Sequence, residues 1–444
     1  MGPPSRAGAR VRPSQRTARI AVSEKRKRIA VVGSGISGLV AAYRLQKSCD
    51  VSVYEAGDYI GGHTHTLDVE QAGKRYAVDT GFIVYNEKNY PHFTRLLNEL
   101  GVQTQPTEMS FSVQCQRSGL EYNGTSINKI FAQRSNVLSP SFYRMLREII
   151  RFYRQAPELL EGRDTSTTLG EYLEQGRFGK AFIEQHIIPM GAAIWSASPD
   201  GMFDFPARSF AQFFHNHGFL QWKGRPQWRV VQGGSKQYVG ALTSSFSDRI
   251  YTRSPVQSVR RRDGGVTLEI AGQPPLEFDE VILATHSDQS LRLLADPTEQ
   301  EREILGAIRY QENETVLHTD ASLLPKTQRA WASWNYYLPS AQASAPTVTY
   351  NMNILQGLTS PHPFCVSLNR HEEIDARHVL ERMTYHHPIY DLGTLDAQLR
   401  RDEISGVRNT HYCGAYWGYG FHEDGARSGI EVAEAIEEKA ATGV

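Results

Sequence analysis

Cysteine is scarce, charge is balanced, and no long apolar run occurs. The four cysteines (Cys49, Cys115, Cys365, Cys413) are scattered, and none forms a CxxC pair. This argues against a disulfide framework, a zinc ribbon and a dithiol relay, and it favours a reducing, cytoplasmic setting. No window reaches the ~18 unbroken apolar residues of a membrane span. There is no internal repeat and only one GxGxxG, so a second nucleotide fold is not expected. Lys+Arg and Asp+Glu are equal at 48 each, and no nucleic-acid partner is expected.

That zero hides an asymmetry. Residues 1–28 hold nine Lys or Arg against one acid, Glu24, so this arm is +8 and the remainder −8. The arm is rich in Pro, Gly, Ser and Arg and cannot bury enough surface to fold. Three readings stay open: a disordered extension, an anchor to anionic lipid head groups, or an Arg-rich transit peptide. It has no apolar h-region, so secretion is not expected.

What is present begins at Val31-Val32-Gly33-Ser34-Gly35-Ile36-Ser37-Gly38. Ile29 to Val32 is short, apolar and β-branched, which predicts a buried parallel strand. Gly33 allows the tight turn, Gly35 lets backbone approach a pyrophosphate, and Gly38 lets the following helix lie close to the strand. The helix start offers free N–H groups to phosphate. Val51 to Tyr54 is a second strand closed by Glu55, roughly 20 residues past the glycines, where a carboxylate accepts ribose hydroxyls. Gly61-Gly62-His63-Thr64 then decides the cofactor. A nicotinamide enzyme has no need of a second glycine pair there, whereas the pyrophosphate and ribityl chain of FAD run on past the first loop. Asp79 offers a carboxylate near the same chain.

At 444 residues two intimately packed domains are expected. The fold class is α/β: a Rossmann-like FAD-binding domain in three blocks (28–89, 230–290, 406–444), with an inserted α+β substrate domain (90–229, 291–405) and the arm at 1–27. Strands from Val256 to Thr285 suit a small antiparallel sheet laid on the main one. His215-Asn216-His217 reads as a polar loop near the cavity rather than a zinc site, and no metal is expected. His386-His387-Pro388 reads as a turn. The five Phe between Phe203 and Phe214 are either core or the wall of an apolar tunnel.

The three blocks resemble the flavin-containing amine oxidase and phytoene-desaturase-like superfamily, with Asp424-Gly425-Ala426-Arg427-Ser428-Gly429 as its C-terminal stretch. A narrower resemblance is to bacterial FAD-binding proteins associated with cyclopropane fatty-acyl-phospholipid synthases. It rests on Gly62 to Thr66, Asn216-His217-Gly218, Ala332 to Tyr336 and Gly418 to Gly425. The resemblance implies an amine-oxidase-like fold with FAD held by Gly33, Gly35, Ser37, Gly38, Glu55, Gly61, Gly62, His63, Thr64, Val256, Ala284, Asp424, Gly425 and Ser428. It also implies that the last helix starts at the flavin ring, with Trp417 and Tyr419 walling the substrate cavity and His422 or Glu423 as acid/base. Two departures stand out. His63 replaces an Arg, giving a pyrophosphate partner that titrates, and Glu312 to Val316 lacks the Lys of the amine oxidases, which argues against an amine substrate. The implied activity is hydride removal from a hydrophobic or lipid substrate, a lipid acyl chain being the narrower form. The alternatives are an amine oxidase releasing hydrogen peroxide and a flavin-binding partner protein without turnover.

Overall fold

The computed structural model describes residues 2, 26–162, 164–221, 224–341 and 344–442. The basic arm falls almost wholly outside them. Five parallel strands form the first sheet: β1 (Arg28–Val32), β2 (Asp50–Tyr54), β3 (Ile250–Tyr251), β4 (Glu280–Leu283) and β5 (Thr410–Tyr412), in the order β3-β2-β1-β4-β5. Successive side chains on a strand point to opposite faces, and here both faces are covered. Ile29, Val31, Val51, Val53 and Ile282 pack with helices α1 (Ile36–Leu45), α2 (Pro91–Glu99) and the last helix. Ala30, Val32, Val281 and Leu283 pack on the other side against a three-stranded antiparallel sheet. That double burial explains the unbroken apolar runs.

It also corrects one expectation. The run after Phe278 does not continue the antiparallel sheet. The backbone breaks at Asp279, and β4 pairs in parallel with β1. Val281-Ile282-Leu283 is apolar on both faces, so it belongs at a sheet centre and not on a half-exposed layer.

A seven-stranded sheet carries the second half of the molecule. Its order is Val379–Pro388, Tyr310–His318, Cys365–Leu368, Val348–Asn351, Trp334–Leu338, Phe111–Cys115, Glu121–Asn123. Trp334–Leu338 pairs in parallel with Phe111–Cys115, which fuses the two inserted segments into one sheet. Helix α3 (Ala207–Asn216) packs beneath with Phe210, Phe213 and Phe214 buried. Parts of the inserted segments also pack with the cofactor half. Phe93, Leu96 and Leu97 of α2 join the core of the cofactor half, and so do Leu294, Ile304, Leu305 and Ala397. No described helix is long and apolar enough to cross a membrane.

Helix α4 (Lys236–Thr243) shares a core with α1, and the last helix, α5 (His422–Thr442), lies tightly against α1. A Cβ on Gly429 would sit 2.3 Å from the Ser37 carbonyl oxygen, and one on Gly425 would sit 2.6 Å from Ile36 Cγ2. Glycine is therefore what allows the two helices to approach.

Candidate active site

The crevice starts where β1 turns into α1. Gly33 takes φ +104°, and a Cβ there would lie 2.8 Å from the Ala284 carbonyl oxygen. A Cβ on Gly38 would meet the Gly33 oxygen at 2.2 Å and Ala284 Cβ at 2.9 Å. Gly35 caps α1 and faces open space. The second glycine pair closes onto it: Gly61 N donates to the Ser34 oxygen at 3.0 Å, and Gly62, at φ +59°, places its Cβ position 3.2 Å from Gly35 Cα. Glu55 ends β2 and accepts from Ser34 N (3.0 Å), Ser34 Oγ (2.6 Å) and Gly57 N (2.8 Å). Its carboxylate still lines the crevice, together with Tyr54, Ser37, Val256 and Ala284. A naked backbone turn at a helix N-terminus, an open space beside Gly35 and an acceptor at the strand end fit an ADP group.

The crevice and the space beyond it form one continuous cavity of about 710 Å³. Beyond Gly62 the wall turns imidazole-rich. The His63 ring lies 5.0 Å from Tyr385, 5.4 Å from His387 and 6.0 Å from His286. Burial pushes His63 down to about 4. Burial and the neighbouring His63 push His286 down to about 3. Burial likewise lowers His387, 3.0 Å from Asn313 Nδ2 through its Nδ1. These rings are neutral at pH 7. His63 Nε2 is buried without a partner in the described residues, so it has a spare hydrogen-bonding atom beside the second glycine pair.

The start of α5 also borders the cavity. His422 lines it and stacks on Phe82, with ring centroids 3.5 Å apart. Its Nε2 lies 2.9 Å from the Tyr238 hydroxyl and 3.0 Å from Thr64 Oγ1, and those two hydroxyls are 2.5 Å apart. Burial holds the ring well below its ordinary range. Tyr419 also lines the cavity.

Other expected residues sit elsewhere. Trp417 does not wall the cavity; it is buried in the core beside Tyr416, with Arg401 over its ring at 5.7 Å. Glu423 is not positioned as an acid/base. Its carboxylate accepts from His92 N, His92 Nδ1 (2.6 Å) and Phe93 N, which closes the N-terminus of α2. Asp424 faces its own loop, accepting from Tyr419 N and Phe421 N, and burial raises it to about 6. Ser428 Oγ accepts from Gly414 N, and Gly425 serves helix packing. Thr64 stands behind the wall and holds His422. Asp79 is buried under Thr66, Ser235 and Gln356. Asp424, Gly425, Ser428, Thr64 and Asp79 therefore build the wall from behind without lining it.

The histidine motifs also moved. His215 and Asn216 end helix α3, and His217 caps it with Nδ1 2.9 Å from the Phe213 oxygen, so the segment is no polar loop. His386-His387-Pro388 ends a long strand, and pairing with Tyr310–Glu312 overrides the turn signal of the proline. Of the Phe cluster only Phe213 lines the cavity, and Phe205, Phe210 and Phe214 are core. Among the described residues no group of His, Cys, Asp and Glu could hold a metal ion. Phe82, Tyr238, His286 and Tyr385 also meet this site, and no motif spacing in the sequence marks them.

Glu423→Ala should lower stability by about 1–2 kcal/mol through loss of the α2 cap, with flavin content and turnover unchanged. Urea midpoints beside the flavin spectrum check this. Lost turnover at unchanged stability would restore an acid/base role.

The parallel sheet and the doubled glycine cradle, opening into one continuous cavity, make a dinucleotide-binding α/β fold whose residues fit FAD. The chain belongs to the flavin containing amine oxidoreductase family, whose profile matches residues 36–318. It is 28% identical over 224 residues to protoporphyrinogen oxidase 2 of Arabidopsis thaliana, covering 49% of this chain and 39% of that one. It is 32% identical over 126 residues to the 1-hydroxycarotenoid 3,4-desaturase of a Flavobacterium, 24% of each chain. The alignments thus span less than half of these relatives. An engineered variant of putrescine oxidase superposes with a TM-score of 0.67 at 18% identity, covering 93% of this chain and 99% of that one.

Proposed function

We propose that this FAD-dependent oxidoreductase takes hydride from an uncharged hydrophobic substrate, with a lipid acyl chain as the leading class. One observation carries the reading. Besides the glycine turns, the lining of the one continuous cavity holds Met109, Ile194, Trp195, Phe213, Phe219, Trp334, Tyr350, Leu368 and Phe421. Among the described residues the charged side chains in its lining are Glu55 and Arg292. Glu55 is tied to the ADP end by Ser34, so no carboxylate remains to pair with an ammonium group. The narrower resemblance to proteins associated with fatty-acyl-modifying enzymes supports the acyl form, and the desaturase relative is compatible with it.

FAD, when bound, supplies the hydride acceptor. The chain's residues supply the rest. The aromatic wall excludes water from an apolar substrate. His422, neutral and fixed by Tyr238 and Thr64, orients a ring nitrogen at the N-terminus of α5, where the helix dipole favours developing negative charge. His63, His286 and His387 line the same cavity as neutral donors or acceptors.

The test is a lipid-extract incubation followed by mass spectrometry. The expected product is an acyl species lighter by two hydrogens. Absence of any such product, with peroxide released from amines instead, would replace this reading by amine oxidation.

A further inference from the structure

Eleven large apolar side chains are exposed among the described residues, and five of them fall between 127 and 150: Ile127, Val137, Leu138, Tyr143 and Ile150. Ile127 is 78% exposed and Leu138 86%. The same stretch is strongly basic. From 127 to 154 it holds Lys129, Arg134, Arg144, Arg147, Arg151 and Arg154 against a single acid, Glu148. That acid is turned inward and accepts from Gly179 N at 3.0 Å.

The local structure puts these groups on one surface. The helix over Pro140–Gln155 buries Phe142, Met145, Ile149 and Phe152. On its other face Tyr143, Arg147, Ile150 and Arg154 follow at i, i+4, i+7 and i+11, which share a face. Ser139 caps this helix, so Leu138 sits at its base. Arg134 bonds back to the Phe131 oxygen (3.0 Å) and Asn128 (2.7 Å), and the Phe131 ring lies 5.8 Å from Tyr143, which joins the Ile127 turn to the same surface. Arg144, Arg147 and Arg154 are exposed. Among the described residues none of the three has a hydrogen-bond or ion-pair partner.

We propose that this face docks on an anionic phospholipid surface. Interleaved cations and large apolar side chains match a bilayer interface, where head groups meet the cations and acyl chains meet Leu138, Ile127 and Ile150. A second copy of the chain is disfavoured by charge, since two such faces would oppose like charges. The proposal stands on the surface alone and does not depend on what the cavity oxidises.

Full-length, flavin-loaded protein is sedimented with vesicles of phosphatidylcholine alone or mixed with phosphatidylglycerol. Binding should favour the anionic vesicles by roughly tenfold or more, and high salt should weaken it. Ile127→Ser with Leu138→Ser, and separately Arg144→Gln with Arg147→Gln, should each lower that binding by about tenfold. The flavin spectrum should be unchanged, because these side chains support no core. Every protein keeps the basic N-terminal arm. Unchanged binding by both double variants would assign lipid contact to the arm and overturn the proposal. A dimer that becomes monomeric in the variants, with no lipid effect, would assign the face to a second copy and overturn it too.

Discussion

Gly38→Ala should yield a protein that is less stable by about 2–3 kcal/mol and retains little FAD. The added methyl would lie 2.2 Å from the Gly33 carbonyl oxygen, and a backbone atom cannot rotate aside. Gly33 is itself pinned, with φ +104° and the Ala284 oxygen 2.8 Å from its own Cβ position. Relief therefore requires α1 to lift away from β1. That movement opens the turn meant to hold the pyrophosphate. It also disturbs α5, which touches α1 through Gly425 and Gly429. The matching control is Gly240→Ala, in a helix with nothing within 4 Å of the new methyl. It should be neutral or stabilising by up to about 1 kcal/mol. Urea midpoints and the ratio of flavin to protein absorbance read both variants. A Gly38→Ala protein with wild-type midpoint and full flavin would contradict this packing account.

Glu55→Ala should weaken FAD affinity by roughly a hundredfold, about 3 kcal/mol, the worth of one or two hydrogen bonds to a charged acceptor. The side chain does two things at once. It accepts from Ser34 and Gly57, shaping the turn, and it leaves carboxylate surface in the crevice for a ribose. Glu55→Gln keeps the shape and half of the acceptor capacity, so it should fall between wild type and alanine. Titration of the flavin-free protein with FAD measures the three affinities. Equal affinities would remove Glu55 from the ribose role.

The nucleotide end was legible because its chemistry is local. Gly33, Gly35 and Gly38 lie within six residues, and Glu55 and Gly61-Gly62 follow at fixed spacing, so one strand-turn-helix unit holds nearly the whole signal. The family assignment follows from the same blocks. The substrate end was legible only in part. His422 and Tyr419 were singled out and do line the cavity, whereas Trp417 and Glu423 came from the same run and do not. Adjacent residues at a helix start point in different directions, and only packing decides which one meets the cavity. His422 took the inward place by stacking on Phe82, and Glu423 took the outward one by capping α2.

The imidazole wall was illegible for a different reason. His63, His286 and His387 come from three distant segments and meet only because Tyr310–His318 pairs with Val379–Pro388 beside the cofactor sheet. Nothing in the spacing of His286 marks it. The packing of α2 was illegible for a similar reason, since its apolar face would suit any core. Phe93, Leu96 and Leu97 went to the cofactor half because α5 and Tyr238 offered the matching surface.

In the proposed function, an apolar wall without a counter-ion selects uncharged hydrophobic substrates. The most direct measurement is anaerobic reduction of the bound flavin, followed by loss of its visible absorbance, with a lipid extract and a polyamine panel offered separately. Bleaching by the lipid fraction and none by amines is the predicted result. Bleaching by amines alone would contradict the account, and bleaching by neither would leave a flavin-binding protein without turnover in its place.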